Sequence, residues 1–260
     1  MNLTTKQQLL QFAIYLARTA GKLTLSRFRK GVDVDRKDDD SPVTVADREA
    51  EEWMRKQIGN TYPDHGIIGE EYGNEGESKS VKWILDPIDG TLSFIHGVPL
   101  YTTLIGITVD GEPEAGVIYA PATDELCEAG IGLGARYNGT DCRVRETHSL
   151  SEATLLSTDM TTIIQENLME PFTKLLSTCR LHRTWGDAYG HMMVATGRAD
   201  IMFDPLLNIW DAAPLLPILQ EAGGHFLDFS GKASIESGHG FSAGETLAGK
   251  VLAVMQSRGA

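Results

Sequence analysis

The stretch Trp83-Ile84-Leu85-Asp86-Pro87-Ile88-Asp89-Gly90-Thr91 holds the residues best suited to chemistry. A short apolar run of strand character ends on two aspartates three positions apart, followed by Gly-Thr. Pro87 lacks a backbone donor and restricts its neighbours, so the chain is expected to leave its sheet here. Both carboxylates then converge on one point at the strand's end. Gly90 lets the backbone approach a ligand closely, and Thr91 adds a hydroxyl beside free N–H groups. Oxygen-only donors select hard cations such as magnesium. By itself, Asp-x-x-Asp-Gly reads equally well as an Asp-Gly turn capped by a second carboxylate.

Three further elements carry acids in comparable settings. Gly69-Glu70-Glu71 follows Ile67-Ile68, placing carboxylates at the end of another expected strand. Trp210-Asp211-Ala212-Ala213 opens a later helix, where Asp211 is either an N-terminal cap or a ligand. Ser41-Pro42-Val43-Thr44 leads into a helix with Thr44 as N-cap and Asp47 three residues on.

These four elements, in this order, resemble the inositol monophosphatase family of the lithium-sensitive sugar-phosphatase superfamily, from about Lys37 to Gly224. The resemblance implies an α+β protein with the family's layered α-β-α-β-α fold, assembled as a homodimer. It implies magnesium, two or three ions per site, with lithium as an inhibitor. Glu70, Asp86 and the Ile88 carbonyl would hold the first metal, and Asp86, Asp89 and Asp211 the second. A third, weaker ion would sit near Glu70. Asp47 and Thr91 would position the attacking water, and the N–H groups of Gly90 and Thr91 would hold phosphate oxygens. Clustered cations suit such a reaction because a phosphate monoester dianion repels an anionic nucleophile.

The substrate must be read outside that metal core. Trp185-Gly186-Asp187-Ala188-Tyr189-Gly190, followed by Val194-Ala195-Thr196-Gly197-Arg198-Ala199-Asp200, resembles the histidinol-phosphate phosphatase branch. Asp187 at a helix start is either an N-cap or a partner for a cationic amino alcohol. Asp204, seven residues before Asp211, stands where inositol-type members carry Glu; it is otherwise a turn residue in Asp204-Pro205. Together the two aspartates would favour a positively charged substrate. Leu92 departs from the branch, whose members often carry Lys there, and His96 reads more simply as a polar loop residue. The rival readings are a phosphatase for inositol or another sugar phosphate, and a binding protein that keeps the fold.

The elements that must position these groups follow from periodicity. Leu9, Phe12, Ala13, Leu16, Ala17, Ala20 and Leu23 place one apolar face on a helix over 5–30, with Gly31 as its stop. The charged stretch Asp33 to Asp40 reads as an exposed loop, a region that the resemblance implies is mobile. Ala46, Ala50, Trp53, Met54 and Ile58 form the buried face of the second helix. Thr102–Val109 and Ala115–Tyr119 flank Asp110-Gly111 as a hairpin, continued by 125–129 and 135–137. Strands are expected at 153–157, 201–203, 226–227 and 251–254, and helices at 168–176, 187–196 and 209–222. One catalytic unit spans 1–260, with an α+β half at 1–150 holding most metal ligands and an α/β half at 151–260 holding the substrate residues.

Composition narrows the function classes. The 260 residues are 42% hydrophobic, enough for a buried core. Formal charge is 23 minus 36, or -13, which disfavours direct nucleic-acid binding. No apolar run is long enough to cross a bilayer, and the N-terminus lacks the pattern of a secretory signal, so a cytoplasmic protein is expected. Cys127, Cys142 and Cys179 form neither a disulfide framework nor a zinc pattern. Gly130-x-Gly132-x-x-Ala135 matches a dinucleotide fingerprint only formally, because Tyr137-Asn138-Gly139 signals a hairpin instead. A small phosphate monoester is the partner that the family resemblance implies.

Overall fold

The first apolar stripe builds α1 (Leu3–Arg27) in the computed structural model, which describes residues 2–31, 34–36 and 42–256. The Asn2 side chain accepts from the Thr5 N–H at 2.9 Å, capping the helix. Leu9, Leu10, Ala13, Leu16, Ala17 and Ala20 are buried, whereas Leu23 is 38% exposed. The helix also stops before Gly31. Its C-cap is Phe28, whose ring packs on Phe94 and Tyr101 and draws the chain off the helix axis. Arg29, at φ 60, already makes the left-handed turn expected of the glycine.

Part of the stretch expected as a loop is a strand: β1 (Val34–Arg36) pairs antiparallel with β2 (Pro42–Thr44). Asp33, residues 37–40 and Ser41 lie outside the described residues, and with them any closure over the site. α2 (Val45–Thr61) begins with a capping box in which Thr44 and Asp47 satisfy each other's end of the first turn.

Next come β3 (Gly66–Gly69), β4 (Gly73–Glu75), β5 (Val81–Asp89), the short helix α3 (Thr91–Ile95), β6 (Thr102–Val109), β7 (Glu112–Ala120), β8 (Glu125–Gly130), β9 (Gly134–Tyr137) and β10 (Thr140–Asp141). Among the described residues the eight strands β3–β10 form one sheet, in the order β10-β9-β8-β7-β6-β5-β3-β4. Only β3 and β5 are parallel neighbours in it. Asp110 and Gly111, at φ 53 and 89, make the expected β6–β7 turn. The glycines of the false dinucleotide motif lie at the β8–β9 hairpin.

The remaining elements are β11 (Thr154–Ser157), α4 (Met160–Gln165), α5 (Met169–Thr178), β12 (Leu181–Arg183), α6 (Asp187–Ala195), β13 (Ile201–Asp204), α7 (Ile209–Glu221), β14 (Gly224–Leu227), β15 (Gly240–Gly244) and α8 (Glu245–Gln256). Their strands form a second sheet in the order β12-β11-β13-β15-β14. Residues 251–254, expected as a strand, lie within α8. The edge of that error is β15, whose Gly-Phe-Ser-Ala-Gly carries no β-branched residue to announce it.

Alternation along β5 sorts the layers. Trp83 and Leu85 face α1 and α2, packing with Leu16, Met54 and Ile58. Ile84 faces the other way, into a core with Met192 of α6 and Leu215 of α7. Beyond those two helices lies the small sheet, whose far face packs Leu155, Ile201 and Phe203 against Phe172 of α5 and Val251 of α8. The result is the layered α-β-α-β-α arrangement.

α7 approaches the large sheet through two glycines. A Cβ on Gly106 would lie 2.6 Å from that of Ala213, and one on Gly116 only 2.2 Å from the Pro214 carbonyl oxygen. Any side chain there would push the helix, and Asp211 at its start, away from β5.

Candidate active site

Asp86 and Asp89 are three apart, which on a regular strand would point them to opposite faces. A bulge removes the conflict. Asp86 pairs with Leu104 and Asp89 with Thr102, so β5 spends three steps where β6 spends two. The chain does not leave the sheet at Pro87, as its proline suggested; the strand runs on to Asp89. Pro87 tolerates this because it sits in the bulge, where its carbonyl accepts from the Thr103 hydroxyl at 2.8 Å. The Ile88 N–H donates to Asp86 Oδ1 at 2.9 Å.

Asp211 enters from the N-terminus of α7. One of its oxygens accepts from the Asn208 N–H at 2.7 Å, so it caps the helix, and the carboxyl still reaches the bulge. Asp86, Asp89 and Asp211 each bring an oxygen within 4.8 Å of the others'. Glu70 follows β3, its N–H bonded to the Leu85 carbonyl at 3.2 Å, and its carboxyl lies in hydrogen-bonding reach of Asp86.

Burial and mutual repulsion dominate the electrostatics of this cluster. Burial first, then the charges of Glu70, Asp89 and Asp211, raises Asp86 well above the usual carboxylate range. Asp89 is raised by burial and then by Asp187, against hydrogen bonds from the Ala188 N–H and the Thr102 hydroxyl, both at 2.9 Å. Asp211 is raised by burial and then by Asp89. The charges that act on all three are those of other carboxylates. Like charges drawn from water without a counter-charge are costly, and a hard divalent cation accepts this all-oxygen donor set. The residues present fit magnesium.

Around the cluster, Gly90 takes φ 78 and starts α3, whose Thr91 hydroxyl donates to the Ile88 carbonyl at 3.1 Å. Asp47 Oδ2 accepts from the Thr44 N–H at 2.8 Å and the Thr44 hydroxyl at 2.6 Å. Burial outweighs those two bonds and, with the charge of Glu70, pushes Asp47 up to about 6. A cleft of about 380 Å³ opens here, lined by Glu70, Gly90, Thr91, Leu92, Asp159 and Asp187 among others.

Asp187 is not the N-cap of α6. Gly186 holds that position, and Asp187 is the first helical residue at φ 53, its N–H donating to the Thr158 hydroxyl at 3.0 Å. Its carboxyl lies beside Gly90, where a Cβ would come within 2.9 Å of Oδ2. Burial, then Asp204, Asp211 and Asp159, pushes it up to about 7. Asp204 ends β13 one layer behind the cleft wall, accepting from the Thr158 hydroxyl at 3.3 Å. It is a strand residue rather than part of a turn.

Asp159 was missed. It caps α4 through the Thr162 N–H at 2.8 Å and also faces the cleft; an acid just past the expected strand 153–157 was the available signal. His96 is exposed, its Nδ1 2.8 Å from the Leu92 carbonyl oxygen at the end of α3, consistent with a loop role. No helix among the described residues is long and apolar enough to cross a membrane.

A family model described as the inositol monophosphatase family matches residues 5–259. A histidinol-phosphatase of Chlorobaculum parvum is 43% identical over 244 residues, 94% of each chain. One from Mycobacterium tuberculosis is 34% identical, over 94% of this chain and 96% of that protein. A solved inositol monophosphatase from Zymomonas mobilis superposes with a TM-score of 0.87 at 31% identity, covering 96% of this chain and 98% of that one.

Proposed function

The chain belongs to the inositol monophosphatase family, and from that premise we propose that it is a magnesium-dependent phosphomonoesterase that hydrolyses L-histidinol phosphate to L-histidinol and phosphate. The observation that carries the substrate is the acidity of the cleft wall. Asp187 and Asp159 face the cleft beside the three-carboxylate cluster, and Asp204 stands behind them. Once metals neutralise the phosphate end, the far end of the substrate still meets net negative charge, which suits the ammonium group of an amino alcohol. The names of the two bacterial relatives support the same reading.

Glu70, Asp86, Asp89, Asp211 and the Ile88 carbonyl would hold two or three magnesium ions. Bound there, magnesium supplies Lewis-acid neutralisation of the phosphate oxygens, a water of lowered pKa and stabilisation of the leaving alkoxide. The chain's own groups supply position. The Thr91 hydroxyl gives its hydrogen to the Ile88 carbonyl, which leaves its oxygen lone pairs to accept from the attacking water. Asp47, held by the Thr44 N–H and hydroxyl beside the cluster, would help position the attacking water. The N–H groups of Gly90 and Thr91, at the start of α3, face no intrahelical partner and would hold phosphate oxygens. Water adds to phosphorus as the ester P–O bond breaks, and the proton it gives up ends on the departing alcohol.

The test is phosphate release with magnesium, comparing histidinol phosphate with myo-inositol 1-phosphate on one enzyme preparation. A kcat/KM preference of about tenfold or more for histidinol phosphate is expected, equivalent to one well-placed ion pair. Preference for the inositol ester would overturn the substrate and leave the metal chemistry standing. Lithium at millimolar concentration should inhibit, and the active species should be a homodimer.

A further inference from the structure

His191 lies four residues after Asp187 in α6 and is fully buried. Its Nδ1 is 2.6 Å from the Ser242 hydroxyl of β15, and its ring meets Phe226 edge-on at 5.7 Å. Its Nε2 has no hydrogen-bond partner among the described residues and lies 3.8 Å from Asp204 Oδ2. The ladder explains this aim. Ser242 pairs with Met202, two residues before Asp204, so the ring spans neighbouring rungs on one face of the β13–β15 pair.

We infer that His191 is a positioning residue for substrate recognition, orienting the Asp204 carboxylate behind the cleft wall so that its charge supports Asp187 against the substrate's ammonium group. This rests on the histidinol-phosphate reading above. A buried ring nitrogen without a partner is unfavourable, and Asp204 Oδ2 is the acceptor it faces. A shift of about 1 Å brings the pair to hydrogen-bond distance. The chain of contacts then continues outward: Asp204 accepts from the Thr158 hydroxyl, which accepts from the Asp187 N–H. When Ser242 donates to Nδ1, the ring's hydrogen sits on Nε2, the tautomer that donates to Asp204.

Two variants separate the ring's two nitrogens. His191→Asn keeps a polar atom near the Nδ1 position, toward Ser242, but falls short of Asp204. His191→Gln places an amide near the Nε2 position. Both are assayed with histidinol phosphate and with glycerol 2-phosphate, whose alcohol carries no positive charge, alongside thermal melts. Expected for His191→Asn is a fall of about tenfold in the ratio of kcat/KM values, histidinol phosphate over glycerol 2-phosphate, lying in KM. His191→Gln should recover the ratio to within about threefold of the wild type, whatever the two melting temperatures. An unchanged ratio in His191→Asn, or equal losses in both variants, overturns the inference alone. A wild-type enzyme with no preference for histidinol phosphate overturns the substrate reading and the inference with it.

Discussion

The Ala188 N–H donates to Asp89 Oδ2 at 2.9 Å, tying the N-terminus of α6 to the bulged end of β5. The positive end of a helix thus meets a carboxylate of the proposed metal cluster. The same contact seats Asp187 beside Gly90. In the proposed reading, metal binding at Asp89 and substrate recognition at Asp187 share one short covalent and hydrogen-bonded path, and disturbance of either should be felt by the other.

Asp89→Asn should lower kcat by about 10³-fold or more, since one charged ligand is removed from the cluster. The metal-free protein should at the same time become more stable, by about 1–2 kcal/mol, because like-charge repulsion and carboxylate desolvation are relieved. Thermal melts in EDTA check this; a lower melting temperature for the variant would contradict the electrostatic account.

Magnesium should raise the melting temperature of the wild-type protein by mass action, adding about 2.7 kcal/mol at a hundredfold excess over Kd. Asp86→Asn should lose most of that increment, as Asp86 is placed on both proposed ions. An equal magnesium shift in both proteins would remove Asp86 from the metal site.

Gly90→Ala should be costly twice over. The residue occupies φ 78, and the new methyl would fall 2.9 Å from Asp187 Oδ2. Strain of about 1 kcal/mol is expected in the fold, with a larger effect on catalysis, a fall of about tenfold or more in kcat/KM for histidinol phosphate. Steady-state kinetics on the purified variant decide it.

Gly116→Ala should act at a distance. Its Cβ would sit 2.2 Å from the Pro214 carbonyl oxygen, so α7 must shift. A stability loss of about 1–3 kcal/mol is expected from overpacking. Because Asp211 lies three residues before Pro214, magnesium affinity should also weaken, read from the midpoint of a magnesium titration. An unchanged midpoint would disconnect this packing contact from the site.

Acid stability should depend on Asp228. One oxygen accepts from the Ser230 N–H, the Ser230 hydroxyl and the Lys232 N–H, and the other from the Ser237 hydroxyl. Burial raises this carboxyl, but the hydrogen bonds prevail and hold it down at about 2, against an ordinary 3.8. A depressed carboxylate stabilises the fold above its unfolded pKa, and that contribution is lost as pH falls from about 4 toward 2. Asp228→Ala should cost about 2 kcal/mol near neutrality and flatten the stability curve across that acid window, as measured by urea unfolding at several pH values.

Local information was enough for much of this. The apolar spacing in α1 and α2, the Asp110-Gly111 turn and the Thr44–Asp47 box each depend on neighbours within a few residues, and each was legible. So was the chemical character of the carboxylates, because oxygen donors beside Gly-Thr keep that character in any fold. Where local signals were weak or contradictory the reading failed. Gly240–Gly244 has no strand composition, and residues 251–254 suit a helix or a strand equally. Pro87 suggested an exit from a sheet that in fact continues through a bulge.

What the sequence alone determined, then, is which groups are available and which short elements carry them. Tertiary structure decided that they meet. Asp211 stands far along the chain from Asp86, and it reaches the cluster because Gly106 and Gly116 let α7 settle against β6 and β7. The bulge turns Asp86 and Asp89 to one side, and α6 brings Asp187 to Gly90 and sets His191 behind Asp204. Such distances depend on packing between segments that are remote in sequence, where a misfit of one methyl group is enough to move a helix. Residue spacing carries no measure of that fit.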